Sequence, residues 1–206
     1  KEAVDPLERL HTCGLYDRII IVAHSLGCVV SYDMLRAYFS RVCRELPPTA
    51  ALGQEFADID AAAWQPDQPA SKDDMRALRV KARQAIASIA AVTARLPASE
   101  RQYKSWLVTD FVTLGNALTH AHYLMCQGKT REDLQKDFLR RVGERELPTC
   151  PPKQLDDDGL LSFYNPRTDQ REVHHGALFG LTRWTNIYFP MEQIFWGDAI
   201  GGAVAP

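Results

Sequence analysis

Arg18-Ile19-Ile20-Ile21-Val22-Ala23-His24-Ser25-Leu26-Gly27-Cys28-Val29-Val30 is the stretch that decides the fold. Four consecutive β-branched residues, Ile19 to Val22, lie between a charge and a tight turn. Such a run predicts a short strand buried on both faces, as in parallel sheets covered by helices. From about Leu26 the pattern turns helical. Val29, Val30, Asp33-Met34, Ala37 and Tyr38 recur at helical spacing, and Pro47-Pro48 closes the region. A strand that passes through one small-residue turn into a helix is the beginning of an α/β unit.

Working outward, Asp5, Pro6 and Gly14 bracket a helix upstream of that strand, with Asp5 as its cap and Gly14 as its stop. Residues 49–70 carry Ala, Gln, Asp and Pro without a period and read as an irregular insertion. Ser71 and Asp74 then form a capping box for a helix whose apolar face is Met75, Leu78, Ala82, Ile86, Ile89 and Leu96, ended by Pro97. Trp106 to Leu114 reads as a second strand, stopped by Gly115. Leu118 to Met125 reads as a short helix, and Thr130 opens another with Leu134, Phe138 and Val142 on one side. Residues 144–170 read as a long loop with an acidic run from Asp156 to Asp158. Trp184 to Phe189 is the third strand, ended by Pro190. Alternating strands and helices predict an α/β fold with a parallel sheet, in one domain over 1–206.

Composition narrows the function classes. A net charge of -2 with interspersed signs has no basic stripe, so a nucleic-acid partner is not expected. The five cysteines are odd in number and widely spaced, which argues against a disulfide framework and for a reducing, cytoplasmic setting. Cys126, Cys150, His174 and His175 are the residues a zinc site would draw on. They lack the close pairing of zinc motifs, so neither metal nor cofactor is expected. No apolar run approaches the ~18 residues of a membrane span, which leaves membrane association of a longer parent open.

Ala23-His24-Ser25-Leu26-Gly27, between strand and helix, resembles the nucleophile elbow of the α/β-hydrolases, with Ala23 in place of the first glycine. Phe111-Val112-Thr113-Leu114-Gly115-Asn116-Ala117-Leu118 is similar to the following strand of lipase-like members, with Asn116 and Ala117 where Ser and Pro are frequent. Arg183 to Pro190, with Trp196-Gly197-Asp198-Ala199-Ile200-Gly201-Gly202, resembles the later strand and its acid-bearing loop. The resemblance covers most of the chain except 49–100 and 144–170, which it casts as insertions or a cap.

That resemblance implies a serine hydrolase, lipase- or esterase-like, acting on a small or lipid-like ester or thioester. Ser25 is the nucleophile it implies, Asp198 the acid, and the Leu26 N–H an oxyanion donor. His24, Gly115 and Asn116 are candidates for the substrate wall. Small residues at 23 and 27 are expected because side chains there would crowd the turn. Asp110 is the runner-up acid, and Asp33 reads as structural. The histidine should follow the acid, yet His11, His24, His120, His122, His174 and His175 all precede Asp198. The strands that normally precede the elbow are missing too. The expectation is therefore a segment of a longer hydrolase, incomplete at both ends and inactive alone, with its histidine beyond Pro206. The alternative is a non-catalytic protein of the same fold that binds a partner. An acyltransferase or thioesterase would read the same in sequence.

Overall fold

The computed structural model describes residues 4–45, 58, 71–93, 106–150, 161–189, 201–202 and 204. The predicted strands stand as β1 (Ile19–His24), β2 (Val108–Leu114) and, late in the chain, β5 (Arg183–Ile187). They form one three-stranded parallel sheet in the order β1-β2-β5. The chain is thus of the α/β class, with its central strand contributed by the middle of the sequence.

Helix α1 (Val4–Thr12) precedes β1, and α2 (Leu26–Glu45) follows it after a single residue. Asp5 lies inside the first turn of α1 rather than capping it. Gly14 takes a φ of 72°, the left-handed conformation that ends a helix. The buried face of α2 is Cys28, Tyr32, Leu35, Phe39 and Val42, with Tyr38 beside it. Their spacing of four and three is that of one helical stripe. The predicted stripe was rotated from this one: Val30 is 56% exposed, and Ala37 faces solvent. Valine looks like core by hydropathy, but the sheet meets the side carrying Cys28 and Tyr32.

The sheet's covered face is aromatic. Phe111, Phe179 and Trp184 pack together with centroid separations of 4.8 to 6.3 Å, and Tyr32 of α2 stacks on this group. Phe111 and Phe179 are fully buried, and each such side chain contributes roughly 1.5–3 kcal/mol. A second aromatic group joins α1, α2 and the entry to β2: His11, Tyr38, Phe39 and Trp106. Trp106 lies just outside the strand, its indole donating to Thr182 at 2.8 Å.

The other face corrects an expectation. β1 alternates instead of being buried on both sides, with Ile20 at 47% and Val22 at 63% exposure. Ile187 of β5, in register across the sheet with Leu114 and His24, is 45% exposed on the same face. Among the described residues α2 covers only the face of Ala23, Phe111 and Trp184.

Helix α3 (Lys72–Thr93) begins as predicted, with the Ser71 N–H donating to Asp74 at 2.9 Å and the Asp74 N–H to Ser71 at 3.1 Å. Its residues Met75, Leu78 and Ala82 join the same core as α2. After β2 comes a 3-10 turn (Ala117–His120), then α4 (Ala121–Leu124) and α5 (Arg131–Gly143). α5 opens on a complete capping box of Thr130 and Asp133. The predicted loop 144–170 is corrected in part: β3 (Ser162–Asn165) and β4 (Gln170–Val173) pair as an antiparallel hairpin. Gln-Arg-Glu in β4 hides a strand because its polar side chains give no apolar alternation. A 3-10 turn (His175–Ala177) and the buried α6 (Leu178–Leu181) lead into β5, and α6 lies against α3. The readings of 49–57, 59–70, Pro47-Pro48, Leu96-Pro97 and Asp156 to Asp158 fall outside the described residues. Among the described residues no helix is long and apolar enough to cross a membrane.

Candidate functional site at the carboxyl edge of the sheet

β1 ends at His24, and α2 begins at Leu26, so Ser25 alone makes the turn. It does so at a φ of 53°. Among the described residues, the other non-glycine positions with positive φ, Arg145 and Asp169, lie just past a helix end and in a hairpin turn, where that conformation is common. Ser25 has no such setting. Its N–H donates to the Leu114 carbonyl at 3.0 Å, and its own carbonyl accepts from the Cys28 N–H at 3.0 Å. Both backbone groups are thereby held, and a serine is fixed in a conformation that costs on the order of 1–3 kcal/mol.

Ser25 is half-buried at the head of a 20-residue helix. Leu26 is the first helical residue, so its N–H has no intrahelical acceptor and faces the end where the helix dipole is positive. Cys28, one turn on, is buried; its thiol donates to the Leu114 carbonyl at 3.7 Å, and burial pushes its pKa up. Burial thus favours the neutral form of that thiol. The expected crowding at Gly27 is absent: a Cβ there would meet nothing within 4 Å.

The neighbouring strand end is built on Thr113. Its hydroxyl donates to Asn186 Oδ1 at 2.8 Å and accepts from the Trp184 indole at 2.9 Å and from Asn116 Nδ2 at 3.2 Å. Asn186 Nδ2 then donates to the Gly202 carbonyl at 2.8 Å, drawing the Gly201-Gly202 segment onto β5. Gly115, at a φ of 52°, donates to the Ile187 carbonyl at 3.2 Å. Ser25 and Gly115 therefore sit at the same edge, each bonded to the next strand. Asn116 is fully buried, with its Oδ1 accepting from the Leu118 N–H at 2.9 Å. Its side chain serves the turn and offers no exposed atom to a ligand. Sequence reading missed the role of Thr113 because a threonine in a strand carries no distinguishing signal.

Asp198 lies outside the described residues. Asp110 is placed far from the turn, level with Ile20 and Arg183, roughly 13 Å below the strand's carboxyl end. Partial burial works against its charge, but the Thr109 hydroxyl and Arg183, at 2.6 Å, hold its carboxyl below the usual range. It is an ion-pair residue of the sheet.

The histidines are dispersed. His24 is exposed and shares the open face with Ile20 and Val22. His174 and His175 stack at 4.5 Å beside Arg145 and Arg36. Arg36 is about three turns along α2 from Ser25, roughly 16 Å. Burial, with Arg145 and His175 adding to it, depresses His174 to about 3. No described histidine is hydrogen-bonded to Ser25. Among the described residues no three His, Cys, Asp or Glu side chains gather as a metal site would need.

A cavity of about 330 Å³ opens behind this edge, between Tyr32 of α2, Phe138 of α5 and Trp184 of β5. His122 lines it, whereas Ser25, His24, Gly115 and Asn116 do not. The chain matches no family model, no curated protein and no solved structure.

Proposed function

We propose that this chain carries the nucleophile of a serine hydrolase of α/β-hydrolase type, acting on an ester or thioester through an acyl-enzyme at Ser25. The observation that carries this reading is the left-handed Ser25 between a parallel strand and the amino end of a long helix. That placement lifts the hydroxyl to the carboxyl edge of the sheet, where ligands of open α/β folds bind. Ser25 Oγ attacks the carbonyl carbon and gives its proton to a base. The oxyanion that forms meets the Leu26 N–H, and collapse expels the alcohol or thiol, which takes the proton back. Water then repeats the sequence on the acyl-enzyme. Asp198 is the acid that would orient the base. The five cysteines stand as free thiols, which favours a reducing compartment such as the cytoplasm.

A second reading, a non-catalytic α/β protein that binds a partner, has one observation in its favour: no described histidine is hydrogen-bonded to Ser25. A fluorophosphonate probe, applied to the full-length protein in which the first reading expects the base, separates the two. The first reading expects a single label, at Ser25, that Ser25→Ala abolishes while the circular dichroism spectrum is unchanged. Asp198→Asn should then lower ester turnover by about 10⁴-fold, the scale of a triad whose histidine loses its orienting acid. A folded protein that takes up no label belongs to the second reading.

A further inference from the structure

We propose that the cavity between α2, α5 and β5 is a binding site for a small, uncharged, largely apolar molecule. Its volume of about 330 Å³ stands at the lower end for ligand pockets, room for a molecule of about two or three rings and not for a peptide segment. Tyr32, Phe138 and Trp184 bring aromatic surface to it, and Leu118, Met125 and Leu147 bring aliphatic surface. Among the described residues that line it there is no Lys, Arg, Asp or Glu. A charged ligand would lose its hydration there and find no counter-charge.

Four polar groups of the wall are already paired with the protein. The Tyr32 hydroxyl donates to the Pro148 carbonyl at 2.8 Å, and the Thr119 hydroxyl to the Asn116 carbonyl at 3.1 Å. The Trp184 indole and both ends of the Asn186 amide belong to the Thr113 network. A ligand therefore meets these groups as contact surface. His122 and Cys150 have no hydrogen bond among the described residues, and they can receive one polar atom of the ligand. Ser25 is not part of this wall, so the site does not depend on the hydrolase reading.

The test uses two dyes with the same rings. N-phenyl-1-naphthylamine is neutral, and 8-anilinonaphthalene-1-sulfonate adds one negative charge. The neutral dye should saturate one site per chain, and the sulfonate should bind at least about tenfold more weakly. Ala121→Phe fills the cavity from the short helix and Gln135→Trp from its exposed rim; each should weaken the neutral dye by about tenfold or more. Leu139→Ala, on the exposed side of α5, should leave it unchanged. Equal affinity for the two dyes overturns the proposal, as does full affinity in both filling variants. So does loss of binding in Leu139→Ala, or no saturable binding at all. Binding is read without turnover, so a protein inert at Ser25 still passes or fails this test.

Discussion

At the scale of the residue, Ser25 concentrates the local cost of the site. A left-handed residue with a Cβ is strained by roughly 1–2 kcal/mol, and glycine removes that strain. Glycine also frees the unfolded chain, which offsets about 0.4–1 kcal/mol of the gain. Ser25→Gly should therefore be more stable than Ser25→Ala by about 0.5–1 kcal/mol in urea unfolding, because Ala keeps the Cβ and the strain. Equal midpoints would mean that the turn holds Ser25 without strain. The position of this residue was legible in Ala-His-Ser-Leu-Gly, since strand and helix signals meet there. The reason assigned to Gly27 was not: no neighbour crowds it, so its smallness leaves the approach to the helix end open.

At the scale of the element, the carboxyl edge is held by one hydroxyl. Thr113 joins Trp184, Asn186 and Asn116, and through Asn186 it reaches Gly202. Thr113→Val keeps the shape and removes three hydrogen bonds, leaving the buried Asn116 amide short of a partner. Each group so stranded costs about 1–3 kcal/mol. The variant should lose about 2–4 kcal/mol overall, and the Gly115 amide should exchange its hydrogen faster. A loss below about 0.5 kcal/mol would show that water replaces the hydroxyl. Capping was readable at this scale for Ser71 with Asp74, and the helix start at Thr130 was readable without its partner Asp133. The β3–β4 hairpin was not, because its strands are only four residues long, β4 is mostly polar, and only pairing reveals them.

At the scale of the whole molecule, the fall of stability from about pH 7 to about pH 5 is governed by histidines that the fold keeps neutral. His11 Nδ1 donates to the Leu7 carbonyl at 2.9 Å, and its Nε2 is buried without a hydrogen-bond partner. His174 Nδ1 accepts from the Gly176 N–H at 2.8 Å, which requires that nitrogen to be unprotonated. Burial lowers the pKa of both, and of His175. Below the ordinary histidine value of about 6.5, the unfolded chain binds protons that the folded chain refuses. Stability therefore falls as pH drops from about 7 to about 5. For His174 the decline continues toward its folded value of about 3. His174→Asn keeps an acceptor for Gly176 and removes the titration, so it should flatten part of that slope in urea midpoints taken across the window. A flat or rising profile in the parent protein would contradict the neutral-histidine account.

The sequence alone determined the three strands of the parallel sheet and the helices between them, the strand-serine-helix turn, and the Ser71–Asp74 capping box. These are written in near-neighbour chemistry: β-branched runs, small residues at a turn, and an acid three residues after a hydroxyl. Tertiary structure decided which side of α2 is buried, and it left Ile20 and Val22 on an open face. It also brought Thr113 to Asn186, and walled a cavity with residues as far apart in sequence as Tyr32 and Trp184. Those outcomes depend on which surfaces meet, and a local pattern carries no information about its distant partner.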